Sequence, residues 1–294
     1  MTKTNATWQG LPFHFKQNVV KLLDFDSRCS LQMCSKSNNF LVRLSPLLIH
    51  SFRISLLYDD PNMMKLSIIF EDSSRCYSIF SKKNSFCDMF QISENKLGMN
   101  LAEPYKCLLK LLESKFQINC VMFYFWDVCD DPVINQNDNF IVSRFLRRVN
   151  PRYLEHLQIS PVLSSAELQN IVESEQFRRS KHINFRKFQE FLRVEKMITA
   201  DEFLCKIREM TADETWNLIQ NFLYKPRGSS FHVETVNEID MTGISRKFGE
   251  RYVPWNATDS EVLDTRRVRM RNDRRLFLIV EFKRYTVEGI VRFL

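Results

Sequence analysis

Apolar side chains at Leu11, Phe15, Val19, Val20 and Leu23, then at Leu31, Cys34, Phe40 and Leu41, recur mostly at gaps of three and four. That spacing lays them along one face of short helices over residues 11–44. Pro12 sits where a first helical turn tolerates proline, since its missing N–H would have found no partner. Asp26-Ser27 offers capping oxygens between the first helical segment and the second. The result is a small helical hook with an apolar face that it cannot bury by itself.

Beyond the hook the period changes. Pro46–Phe52 is a short apolar bridge and residues 59–62 (DDPN) a turn. Lys65–Asp72 and Arg75–Ser81 are predicted strands, joined as a hairpin at 72–74. Helical spacing returns over Leu101–Phe116, with Pro104 in the first turn. Ile118–Trp126 (INCVMFYFW) is dense in β-branched and aromatic residues and predicts a buried strand. Asp138–Val149 is predicted helical, and Leu154–Ser160 alternates as a strand.

Three stretches have the form of a capping box: Ser164–Glu167, Thr199–Glu202 and Thr211–Glu214. The first opens a helix carrying Leu168, Ile171, Val172 and Phe177; the third leads into Trp216, Leu218, Ile219, Phe222 and Leu223. Residues 186–197 fit strand or helix equally. Lys225–Gly228 ends the last helix, and Phe231–Val236 is a strand. The chain closes on a hairpin, Val262–Met270 with Leu276–Phe282, and an edge segment running to Leu294.

Glu155–Ile159 and Lys181–Phe185 share one pattern 26 residues apart, inside the ~20–29-residue period of leucine-rich repeats. Half-buried helix–strand units must stack on one another to complete a core. The predicted fold class is therefore mixed α/β: a small all-helical N-terminal module, then a curved α/β repeat domain with strands on its concave side, capped by β-hairpins. The expected divisions are 8–50 for the helical module, 51–100 for a connecting hairpin region, and 101–294 for the repeat domain.

Composition narrows the function more by exclusion than by assignment. A 44% hydrophobic fraction over 294 residues supports a sizeable core. With 6 glycines, and neither GxGxxG nor GxxxxGK[ST], no phosphate-cradling loop is expected. The N-terminus lacks an apolar signal region and no run approaches the ~20 residues of a membrane span. The expected setting is intracellular, cytoplasmic or nuclear, with the eight cysteines reduced. No CxxC, HExxH or GxSxG occurs. His156 and His182 hold equivalent repeat positions, which favours a structural role. Asp59-Asp60 and Asp130-Asp131 each precede a proline and are turn residues. No catalytic, cofactor-binding or metal-ligating set emerges, and a non-enzymatic protein without cofactors is expected.

Two resemblances sharpen this. The stretch with Leu11, Pro12, Phe15, Val19, Val20, Leu23, Leu31 and Cys34-Ser35-Lys36 resembles an F-box, with His14 where many F-boxes carry an acid and Phe40 as the later aromatic. The phrases LRRVNPRYLEHLQIS, LQNIVESEQFRRSKHINF and TADETWNLIQNFLYKPRGSSFHVETV resemble the F-box-associated domain of the FTH type, over most of residues 140–294. Together they imply a substrate-recognition subunit of a Skp–cullin–F-box ubiquitin ligase. On that resemblance Leu11, Pro12, Phe15, Val19, Val20, Leu23, Leu31 and Cys34 would dock a Skp-type adaptor, and the repeat domain would hold an unidentified protein substrate. No membrane partner is implied.

The net charge of +7 is uneven: residues 262–294 carry nine Lys/Arg against four Asp/Glu. Arg266, Arg267, Arg269, Arg271, Arg274 and Arg275 form a candidate acidic-partner patch. A solvated basic hairpin that protects a sheet edge accounts for the same residues. Nucleic acid is disfavoured because Phe277 and Phe282 suit hairpin packing rather than base stacking. The rival functions are a basic repeat protein that binds nucleic acid or an acidic partner, and an F-box scaffold working outside ubiquitin ligation.

Overall fold

The computed structural model describes residues 7–23, 25–45, 49–56, 64–69, 76–81, 118–127, 141–249 and 262–293. The expected helix at 101–116 and the turns at 59–62, 72–74 and 130–131 lie outside them. The chain divides into two compact units, Met1–Ile49 and His50–Leu294.

The first unit holds three helices, α1 (Phe13–Leu22), α2 (Phe25–Cys34) and α3 (Lys36–Arg43), preceded by a 3-10 turn at Trp8–Gly10. Pro12 is the N-cap of α1 rather than its first residue. Asp26 and Ser27 lie inside α2 instead of between helices, because the chain re-enters helix at Phe25, ahead of both capping candidates. The cap that does form is Ser35, whose Oγ accepts the Asn38 N–H at 3.1 Å and starts α3. α3 packs on both α1 and α2, and Val20 and Leu41 are buried apolar side chains of this unit.

The second unit is built on an eleven-stranded sheet with order β3-β2-β1-β4-β5-β6-β7-β8-β11-β10-β9. β1 (Ile49–Leu56), β2 (Met64–Ile69) and β3 (Cys76–Ser81) form an antiparallel meander. β4 (Cys120–Asp127), β5 (His156–Ile159), β6 (His182–Gln189), β7 (Glu202–Ile207) and β8 (Ser230–Thr235) run parallel in sequence order. β9 (Val262–Arg269), β10 (Leu276–Lys283) and β11 (Thr286–Phe293) are antiparallel. The last strand is not an edge. β11 folds back between β10 and β8, so β9 and β3 are the outer strands. A segment's own pattern cannot tell whether one or both of its backbone edges will be paired.

Between the parallel strands run α4 (Ile141–Leu146), α5 (Ser165–Val172), α6 (Glu175–Arg179) and α7 (Ala212–Phe222), followed by α8 (Met241–Lys247). They cover one face of the sheet. Phe145 of α4 meets Phe125, Phe177 of α6 meets Phe185, and Phe222 of α7 meets both Phe203 and Phe231, with ring centroids 4.8–6.4 Å apart. These rings project from the same side because parallel register pairs Leu157, Ile183, Phe203 and Phe231 across the sheet. The aromatic layer is the core of the unit.

Several local expectations change. α4 stops at Leu146, and Val149 instead bridges Ile118 in β fashion. At Ser164 only half of a capping box forms: its Oγ accepts the Glu167 N–H, while the Glu167 carboxylate turns to the Ser143 N–H at 3.1 Å, at the start of α4. Burial raises the Glu167 carboxyl above its ordinary range, against those backbone hydrogen bonds. The helix after it breaks at Ser174, whose side chain caps α6. Thr199–Glu202 is no box, since Glu202 begins β7, where Phe203, Cys205 and Ile207 are buried on alternate positions. Thr211–Glu214 is a complete reciprocal box, and the residues after it follow the 3.6 period instead. Residues 186–189 extend β6, and Val194–Lys196 is a 3-10 turn. The positive φ of Gly228, 88°, lets the chain turn from α7 into β8.

Candidate functional site

Alternation along β4–β8 sends the large apolar side chains to the helix side and leaves a mixed polar set on the other. In register across the sheet these are Met122, His156, His182, Glu202 and Ser230, then Tyr124, Gln158, Asn184, Leu204 and His232 two residues on. The first row is spaced by 34, 26, 20 and 28 residues, so the 26-residue period joins β5 to β6 but is not kept elsewhere.

His156 and His182, equivalent by sequence pattern, are direct neighbours: their rings stack 4.0 Å apart at 5°. His182 Nδ1 lies 2.9 Å from Glu202 Oε2. Burial lowers the His156 pKa, and the facing His182 lowers it further, while Glu155 and Glu202 pull the other way. Glu155 accepts from Lys181 Nζ at 2.8 Å, which holds its carboxyl below the ordinary range. Beside them the Arg53 guanidinium sits 4.6 Å over the Tyr124 ring.

Two open cavities share Glu202 and Leu204 on this face. One, of about 360 Å³, is lined by Tyr124, His156, Gln158, His182 and Asn184. The other, of about 330 Å³, is lined by Ser230, His232, Glu281, Glu288, Ile290 and Arg292. The side-chain oxygen of Asn184 is buried without a hydrogen-bond partner among the described residues. The arrangement presents donors, acceptors and charges of both signs over a broad surface, which suits recognition of a second chain. Among the described residues no group of three His, Cys, Asp or Glu could hold a metal ion, and no helix is long and apolar enough to cross a membrane. Cys120 and Cys205 are buried thiols, the former pushed up to about 12 by burial and the latter higher still.

The helical unit carries a different surface. Phe15 is 49% exposed and Pro12 is exposed beside it, with Leu11, Val19, Leu23 and Leu31 half-buried. Cys34 is exposed, its thiol donating to the Ser30 carbonyl at 3.2 Å. Val20 is the exception among the expected docking residues: it is fully buried and serves the core of the unit. The i, i+1 step from Val19 turns it about 100° inward. Sequence reasoning also missed that Phe13, Leu22, Met33 and Leu44 stand out from this unit, as does Phe40, at 44–86% exposure. Such exposure of large apolar side chains on so small a unit is the mark of an interaction surface. Arg28 was missed as well. It is buried and donates to the carbonyls of Lys21, Leu23 and Ser45, tying the end of α1 to the segment after α3.

The six C-terminal arginines do not form one patch. Arg266 lies on the helix side, paired with Asp264 at 2.7 Å. Arg271 reaches back to Tyr224 and Gln220 of the α7 end at 2.8 and 2.9 Å. Arg274 and Arg275 belong to the β9–β10 turn, Arg275 paired with Asp273 at 3.1 Å. Arg267 and Arg269 alone point from β9 to the helix-free face.

An uncharacterized F-box protein of Caenorhabditis elegans is 44% identical over 48 residues, which is 16% of this chain and 12% of that protein. The chain thus matches only a small part of that relative's length. No solved structure matches. The family model for the FTH domain matches residues 105–251, beginning before the stretch that carries the resemblance in sequence and ending before β9. That match takes in all five parallel strands and the helices that cover them, and the chain belongs to the FTH-domain family.

Proposed function

We propose that this protein is a non-enzymatic substrate-recognition subunit of a Skp–cullin–F-box ubiquitin ligase. In this reading the three-helix unit is an F-box that docks a Skp-type adaptor. The sheet unit, a leucine-rich-repeat-like array in its parallel part, holds a protein substrate. The observation that carries the proposal is the exposed apolar surface of the helical unit, with Pro12 and Phe15 of the F-box pattern on it. The F-box relative supports the same reading. No reactive residue is needed: fixing a substrate near a charged conjugating enzyme supplies catalysis by proximity.

The test is a binding titration of the full chain against a purified Skp-type adaptor. Burying one large apolar side chain is worth roughly 1.5–3 kcal/mol, so Phe15→Ala is expected to weaken binding about tenfold to a hundredfold. Leu11→Ala/Pro12→Ala should do the same or more. Absence of binding by the unaltered protein would refute the adaptor assignment. Adaptor binding without recruitment of a cullin would instead place the protein outside ubiquitin ligation.

A further inference from the structure

Many cations of the sheet unit are neutralised locally. Lys181 pairs with Glu155, Lys206 with Glu234, Arg208 with Glu190, Lys225 with Asp201, Arg266 with Asp264, and Lys283 with Glu288. Arg267, Arg269 and Arg292 are not among them. All three are exposed, and none pairs with an acid among the described residues. They come from the first and third strands of the C-terminal meander and meet through the register: Arg269 lies opposite Phe277, which lies opposite Arg292, and Arg267 lies opposite Ile279, which lies opposite Ile290. Opposed residues share a face, so all six side chains stand on the helix-free side.

Sheet geometry sets the scale. Arg267 and Arg269 are about 7 Å apart along β9, and Arg269 and Arg292 about 10 Å apart across two strands. These separations are comparable to the ~8 Å Debye length at physiological salt, so the three charges act on a ligand as one field. Between them Phe277 is half-buried and Ile290 is 41% exposed, over a buried Ile279. Arg292, Ile279 and Ile290 also line the cavity of about 330 Å³.

We infer that Arg267, Arg269 and Arg292, around Phe277 and Ile290, form a docking site for an extended acidic segment of a partner protein, one that places carboxylates beside aliphatic side chains. The complementarity is of charge first and of apolar contact second. It also disfavours nucleic acid. Glu281 and Glu288 face the same side one row further along, and Glu202 lines the same cavity. A phosphate backbone crossing those rows would meet carboxylates, whereas a peptide can offer neutral or basic side chains there. The Phe277 ring, moreover, already carries the Arg269 guanidinium at 5.5 Å. The site lies beyond the stretch that matches the FTH family model. It is independent of adaptor docking by the helical unit.

The experiment uses fluorescence anisotropy with the full chain and a labelled twelve-residue peptide of alternating glutamate and valine. A glutamine–valine peptide and a single-stranded DNA of equal length serve as comparison probes. The altered proteins are Arg267→Gln/Arg269→Gln/Arg292→Gln and, as a charge-matched control, Arg152→Gln/Arg246→Gln/Arg274→Gln. The acidic peptide is expected to bind the unaltered protein and the control within twofold of each other, and the site variant at least tenfold more weakly. The glutamine–valine peptide should bind at least tenfold more weakly throughout. Equal loss in both variants would reduce the effect to diffuse charge and overturn the site. So would equal binding of the neutral peptide, absence of binding by the acidic one, or tighter binding of the DNA that is lost in the site variant. Should the triple variant not fold, Arg292→Gln alone carries the same test, with a loss of at least threefold expected.

Discussion

Gly289, in the interior of β11, offers a sharp test of how the C-terminal meander is joined to the parallel strands. It pairs with Phe231 of β8, and a Cβ at this position would stand 2.2, 2.3 and 2.9 Å from three atoms of the Phe231 ring. Separations under 3 Å mean that something must move. The ring cannot move cheaply: it is 2% exposed and packed against Phe203 and Phe222 with centroids 6.1 and 4.8 Å away. Gly289→Ala should therefore cost about 3 kcal/mol, the upper part of the usual range for overpacking. At roughly 2–4 °C per kcal/mol for a unit of this size, the melting temperature should fall by about 6–12 °C. Phe231→Ala alone should cost about 3–5 kcal/mol through the cavity it leaves. If the clash is the cause, the double variant should be more stable than the two single effects predict, by about 1–3 kcal/mol. Denaturant unfolding of the four proteins, followed by circular dichroism, measures this coupling. Strict additivity would refute the argument, because the cost of alanine at 289 would then not arise from the ring.

Two further predictions concern charge. Arg28→Ala should uncover three carbonyls that the guanidinium now satisfies and destabilise the helical unit by at least ~2 kcal/mol. Proteolysis between residues 23 and 45 should accelerate accordingly, and unchanged cleavage would count against the clamp. His156 has its pKa lowered, so the unfolded chain takes up its proton first as pH falls. Its contribution to stability is then full above the unfolded value of about 6.5 and declines below it. Stability should drop as pH falls below about 6.5, and His156→Gln should shrink that drop; an unchanged pH profile would show that His156 does not govern it.

Much of the fold was legible because it rests on short-range periodicity. The helices at 13–43, the β4–β8 strands, the Thr211 box and the 262–283 hairpin all follow from local pattern, since alternation and the 3.6 period report which face is buried. Where the reading failed, two local rules competed. Thr199-Ala-Asp-Glu202 has the residues of a helix start, yet the alternation of Phe203, Cys205 and Ile207 places a strand there. Glu167 has the position for a box, yet its carboxylate serves the neighbouring helix α4 instead. Buried glutamines show the same limit. Gln189 donates to the Pro161 carbonyl and accepts from the Leu163 N–H, and Gln176 donates to the Val149 carbonyl. Each sews one helix–strand unit to the one before it, through a bond spanning 26 to 28 residues that no local pattern announces.

The sequence by itself determined the class of structure: a helical N-terminal module, repeated helix–strand units, and a basic antiparallel end. It could do so because burial of alternate or helically spaced side chains is decided within a few residues. Only the tertiary structure decided which side chains share a surface. It made Val20 core and Phe15 surface, stacked His156 on His182, placed β11 inside the sheet, and dispersed six neighbouring arginines while bringing Arg292 to Arg267 and Arg269. Those outcomes depend on strand order and register, which are set by contacts between segments distant along the chain.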